Sequence, residues 1–227
     1  MLAATRTSGS NEFTIRSGRA ELPGTLSLPE HPCGLILFAH GSGSTRESPR
    51  NRRVAAKLRS AGLGTLLFDL LTETEAARRR KTFEIPLLAE RLLDATSWAR
   101  SECDGLPIGW FGASTGAAAA LLAAAQAPEL AEAIVSRGGR PDLAGEALGS
   151  VRVPTLLIVG ANDIEVLDLN RQALTRLAGP KALQIVPGAG HLFEEGNSLD
   201  LAADYARHWF VRHLAGIGRH CLTAGGR

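Results

Sequence analysis

Three residues that could do chemistry together stand in chain order, each in a short glycine-flanked stretch. They are Ser114 in GASTG (112–116), Asp163 in GANDIEV (160–166) and His191 in GAGHLF (188–193). A serine hydroxyl is a weak nucleophile at neutral pH and needs a base to take its proton as it attacks. The base in turn needs an acid to fix its tautomer and stabilise its charged form. Histidine, whose charge change falls near neutrality, suits the first role, and an aspartate suits the second. The pattern G-x-S-x-G is weak alone in a chain with 25 glycines, and it gains meaning only between a strand and a helix. Glu165 and Asp168 compete with Asp163, but they already belong to the following helix pattern and should face away. His31 lies before the apolar runs, His208 and His213 fall in a final helix, and His220 falls in the tail. His40 directly follows an apolar run and reads as a brace for the next loop.

The elements that must position these residues alternate in type. GLILFAH (34–40), GTLLFDL (64–70), LPIGWFG (106–112), EAIVS (132–136), PTLLIVG (154–160) and ALQIVPG (182–188) are short continuous apolar runs, as strands buried on both faces should be. EFTIR (12–16) and GTLSL (24–28) read as two antiparallel strands at one edge. Helices are predicted from a Ser48 cap with Pro49 at the first turn to Ser60, and over 87–100, 115–127, 165–177 and 199–214. Such alternation predicts an α/β fold, a mostly parallel central sheet with helices on both faces. The polar segment 72–83 is helix-compatible and reads as a surface excursion. The chain reads as one domain over 1–227, with 1–10 and 216–227 frayed.

Ligands of such sheets sit at the carboxyl ends of the strands, where Ser114, Asp163 and His191 all fall. A helix opening with TGAAAA behind Ser114 would aim its N-terminus at the oxyanion that forms in the transition state. The expected oxyanion donors are the backbone N–H groups of Thr115 and Ser42. Arg46 and Arg137 also follow strands and are candidates for gripping a substrate carboxylate bidentately. The alternative is pairing with acids such as Glu47 and Asp142.

Together HGSGS (40–44), GASTG, GANDIEV and GAGHLF resemble the α/β-hydrolase superfamily, in particular its compact dienelactone-hydrolase-like branch, over about residues 30–215. The order serine, acid, histidine is that of this fold. The resemblance implies a sheet of eight strands or slightly fewer, an acyl-enzyme mechanism, and Ser114, Asp163 and His191 as nucleophile, acid and base. Dienelactone hydrolases carry cysteine at the nucleophile position. Ser114 therefore favours a serine esterase acting on small esters or lactones. The fourteen residues between Ser136 and Val151 are too few for a large lid. The competing class is a hydrolase-fold binding or signalling protein whose triad is idle.

A net charge of +2, 44% hydrophobic residues and a mean hydropathy of +0.02 give no reason to expect nucleic acid. The basic runs at 50–53 and 78–81 read as solvated faces. No run approaches the ~18 apolar residues of a membrane span, and the first ten residues lack a signal-peptide core. Cys33, Cys103 and Cys221 read as free thiols in a reducing cytoplasm. GSGSTR (41–46) begins like a dinucleotide loop, but Arg46 occupies the third glycine position. Neither a metal nor a cofactor is expected, and the expected partner is a small-molecule ester or lactone.

Overall fold

The computed structural model describes residues 9–214. Each apolar run forms a strand: β1 (Gly9–Ser17), β2 (Ala20–Leu28), β3 (Leu35–Ala39), β4 (Gly64–Phe68), β5 (Ile108–Ala113), β6 (Ala133–Arg137), β7 (Thr155–Gly160) and β8 (Lys181–Val186). They make one eight-stranded sheet in the order β1-β2-β4-β3-β5-β6-β7-β8. β1 pairs with β2, and β2 with β4, antiparallel. The remaining pairs are parallel.

Along β3, Leu35, Leu37 and Ala39 enter the core on one side of the sheet, while Ile36 and Phe38 enter the core on the other. This is the period of two that a strand imposes on its side chains, and it explains why the run is apolar throughout. Helices α3 (Ile85–Glu102), α4 (Thr115–Gln126) and α5 (Ile164–Arg176) cover the first side. Helices α1 (Pro49–Arg59) and α6 (Ser198–Leu214) cover the second. Helix α4, which follows the central strand β5, is buried on nearly every side. Its run of alanines presents no bulk and so lets the helix lie close on the sheet.

Two local features differ from the sequence reading, at Gly9–Ser10 and at Cys33. Gly9 and Ser10, expected to be frayed, extend the β1 ladder by pairing with Leu28 and Ser27. The rest of the expected frayed ends lies outside the described residues. The 72–83 excursion, helix-compatible in sequence, carries a short helix α2 (Glu73–Ala76), closed by a capping box between Thr72 and Glu75, and then a 3-10 turn at Lys81–Phe83. Cys33 is disulfide-bonded, so the reading of three free thiols fails there. Between β6 and β7 the chain forms 3-10 turns at Pro141–Ser150 packed beside α4, with no inserted lid. No described helix is long and apolar enough to cross a membrane.

Candidate active site

Ser114 ends β5 and begins α4 with φ 51° and ψ −119°, a backbone state that costs a non-glycine residue about 1–3 kcal/mol. Its neighbours enforce it. A side chain at Gly116 would put its Cβ 2.1 Å from the Ala39 carbonyl oxygen, and one at Gly112 would sit 2.4 Å from Ala117 Cα. Both obstacles are backbone, so β3, β5 and α4 meet at this turn only because both positions are glycine. The Ser114 N–H donates to the Arg137 carbonyl, and the Ser114 carbonyl accepts from the Ala117 and Arg140 N–H groups. Although Ser114 is the N-cap residue of α4, its hydroxyl makes no capping bond.

Asp163 and His191 come from the loops behind β7 and β8. These loops touch because Gly160 has no side chain: a Cβ there would lie 2.3 Å from the Ala189 carbonyl oxygen. The Asn162 N–H donates to the Ala189 carbonyl and the Asn162 Nδ2 to the Gly188 carbonyl, both at 2.9 Å. Glu195 accepts from the Gly190 N–H at 3.0 Å, and that bond holds its carboxyl below the usual range. In this frame His191 Nδ1 lies 2.6 Å from Asp163 Oδ2. An ionised carboxylate only accepts, so Nδ1 carries the proton and Nε2 is left as an acceptor. Asp163 is the N-cap residue of α5 and, like Ser114, makes no capping bond. Glu165 and Asp168 stand exposed on α5, and Asp168 accepts from Gln172 instead.

Ser114 and His191 line one cavity of about 160 Å³. Gly41, Ser42 and Ser44 form one wall, and the first turn of α1 forms another through Ser48, Arg50 and Asn51. The loop Gly41–Ser44 passes close to the serine, since a Cβ on Gly41 would lie 3.0 Å from Ser114 Cβ. His40 braces this loop. It is buried, its Nδ1–H donates to the Gly41 carbonyl and its Nε2 accepts from the Leu70 N–H, both at 3.0 Å. Burial pushes its pKa down, which keeps the imidazole neutral for that pair of bonds. The Gly41 carbonyl also accepts from the Ser44 N–H. In a planar trans peptide the N–H points opposite the carbonyl, so the Ser42 N–H is turned away from His40. Among the described residues it finds no backbone acceptor. The Ser42 hydroxyl bonds Thr82 Oγ1 at 2.8 Å. Thr115 supplies the first N–H of α4, one of the donors a helix leaves unpaired.

The two candidate arginines part company. Arg46 does not reach the cavity: its guanidinium is held by Glu47 at 2.6 Å, Glu12 at 3.1 Å and Asp69 at 3.5 Å. Glu12 and Asp69 come from β1 and the end of β4, distant in sequence, so only Glu47 was foreseeable. Arg137 ends β6 beside Ala113 and lines the cavity. It is only 7% exposed. Nη2 reaches Asn51 Oδ1 at 3.5 Å and the guanidinium lies 5.7 Å from the Phe193 ring centre. Nε and Nη1 are buried without a partner among the described residues. Burial, with Arg50 nearby, lowers its pKa to about 10. Asp142, the acid considered for it, pairs instead with Arg140 at 2.7 Å.

Sequence reasoning missed Arg50 and Asn51. The Ser48-Pro49 cap marked where α1 begins, but not that its first turn faces the serine. Arg52 and Arg53 do pair outward with Glu47 and Asp200. Arg50 pairs with Glu194 at 2.7 Å at the cavity mouth.

A crystal structure of dienelactone hydrolase from Anabaena variabilis is 50% identical, superposes with a TM-score of 0.88, and matches over 91% of this chain and 98% of its own. The chain belongs to the dienelactone-hydrolase-like branch of the α/β-hydrolases. A lidless α/β serine hydrolase from Xanthomonas campestris shares the fold at 21% identity, with a TM-score of 0.76 over 92% of this chain and 96% of that one. Curated proteins from two Mycobacterium tuberculosis strains, provisionally named phosphoribosyl transferases, are 53% identical over 209 residues. That match takes in 91% of this chain and 47% of theirs, so the chain spans about half the length of these relatives. No family model matches the chain.

Proposed function

We propose that the chain is a serine hydrolase of small carboxylic esters or lactones. The observation that carries this is a serine on a strained turn in one cavity with a histidine whose far ring nitrogen is bonded to a buried-side carboxylate. Ser114 Oγ attacks the ester carbon as His191 Nε2 takes its proton. The carbonyl electrons move onto oxygen, held by the Ser42 and Thr115 N–H groups. Asp163 holds His191 in the tautomer that accepts and stabilises its charged form. The carbon–oxygen bond to the leaving group breaks as His191 returns the proton to that oxygen. A water then repeats the sequence on the acyl-enzyme, with His191 as base, and Ser114 is regenerated.

The dienelactone hydrolase from Anabaena variabilis supports a hydrolytic reading. The transferase name belongs to proteins of which this chain matches 47%, and an activated serine beside unpaired backbone donors is suited to acyl transfer. The unpartnered Arg137 nitrogens further support a substrate that carries an anionic group near the ester.

The test is a Ser114→Ala protein against a panel of small esters and lactones. Turnover should fall by roughly 10⁴ to 10⁶-fold, since triad members act as a unit, and labelling by a fluorophosphonate probe should vanish. A variant keeping more than about a tenth of the activity would remove Ser114 from the mechanism.

A further inference from the structure

The loop Gly41–Ser44 has a cavity on each side. Gly41, Ser42 and Ser44 line both. The cavity shared by Ser114 and His191 is positive through Arg137: Arg50 also faces it but is paired with Glu194, the N-terminus of α1 opens onto it through Ser48, and no carboxylate lines it. The second, of about 190 Å³, is mainly apolar. Leu70 and Leu71 behind β4 and Leu88 of α3 form its walls, and Ala76 of α2 stands at its rim. Thr82 closes one side and is tied to the loop through the Ser42 hydroxyl. Thr115 lines this cavity, and His191 does not.

A reacting ester lies across this division in one orientation. Its carbonyl oxygen must sit between the Ser42 and Thr115 N–H groups, which adjoin the apolar cavity. Its leaving oxygen must be within reach of His191, which lines only the positive one. The geometry points to a bipartite substrate: an apolar acyl group of several carbons in the cavity of Leu70, Leu71 and Leu88, and an alcohol half bearing an anion beside Arg137. This rests on the proposed ester hydrolysis and adds which half carries which chemistry. The anion is a carboxylate or a phosphate, since a guanidinium recognises both.

The experiment measures kcat/KM for acyl esters of 4-hydroxybenzoate, of its neutral methyl ester and of 4-hydroxyphenyl phosphate. It also includes a 4-nitrophenyl hemisuccinate, where the carboxylate lies on the acyl half, beside 4-nitrophenyl butyrate. Rates are corrected for uncatalysed hydrolysis. An anion on the alcohol half should raise kcat/KM by about tenfold or more, and one on the acyl half should lower it. The faster of carboxylate and phosphate identifies the anion. Ala76→Trp, an exposed position where added bulk spares the core, should reduce the hexanoyl-to-acetyl ratio of kcat/KM by about tenfold. Preference for the anion on the acyl half, or an unchanged acyl ratio in the Ala76 variant, overturns the inference while leaving ester hydrolysis standing. No turnover of any ester and no fluorophosphonate labelling overturns both.

Discussion

Among the acids near His191, geometry gives each a different task. Asp163 holds the imidazole, whereas Glu165 and Asp168 are exposed on α5. Asp163→Asn should therefore cost about 10²- to 10⁴-fold in kcat, while Glu165→Gln and Asp168→Asn stay within a few fold. Steady-state kinetics on the three variants check this, and a larger loss in either helix variant refutes it. Arg137 presents a conflict between folding and recognition. Its folded pKa, about 10, lies below the ordinary guanidinium range, so the charged form is disfavoured by folding at every pH below about 10. Replacing a buried charge with a residue of similar volume often stabilises. Arg137→Met is expected to raise stability by about 1–3 kcal/mol in chemical denaturation and to abolish the preference for anionic esters. A destabilised variant with that preference intact would mean that Arg137 serves the fold rather than the substrate.

Two helices, α4 and α5, begin with a residue that breaks the local rule for its place. Serine and aspartate at a helix N-terminus ordinarily accept from the first turn, worth about 0.5–2 kcal/mol. Ser48 does so, accepting from Asn51. Ser114 and Asp163 do not, and these are two of the three candidate catalytic residues. This is why the site was partly legible before the structure: continuous apolar runs fix the strand ends, and the residues behind them must lie on one rim. What could not be read is how partners far apart in sequence meet. Arg46 is claimed by Glu12 and Asp69, and Asn51 meets Arg137 across the cavity. The loop behind β3 also depends on a distant partner, since His40 bonds the Leu70 N–H. With the His40 pKa lowered by burial below 6.5, the unfolded chain binds the proton first as pH falls. The stability contributed by neutral His40 is thus complete above about 6.5 and is lost as pH falls through the folded value. The melting temperature should drop on acidification from pH 7.5 to 5, and His40→Gln should show a shallower drop. Parallel curves would assign the acid sensitivity to other groups.

Across the whole molecule, the three residues are unequally anchored. Ser114 follows β5, which has β3 on one side and β6 on the other and α4 packed upon it. His191 follows β8, the last strand of the sheet, which among the described residues pairs only with β7 and keeps most of its residues partly or fully exposed. Proteins open locally first where few buried contacts hold them. The amides of β8 should exchange with solvent faster than those of β5, measured by hydrogen–deuterium exchange. The two halves of the chemistry then belong to regions of different durability. Gentle heating would separate base from nucleophile by loosening one margin of the sheet, with the central strands still intact. Activity should disappear at a lower temperature than the far-ultraviolet circular dichroism signal, and should return on cooling without any need to refold the core.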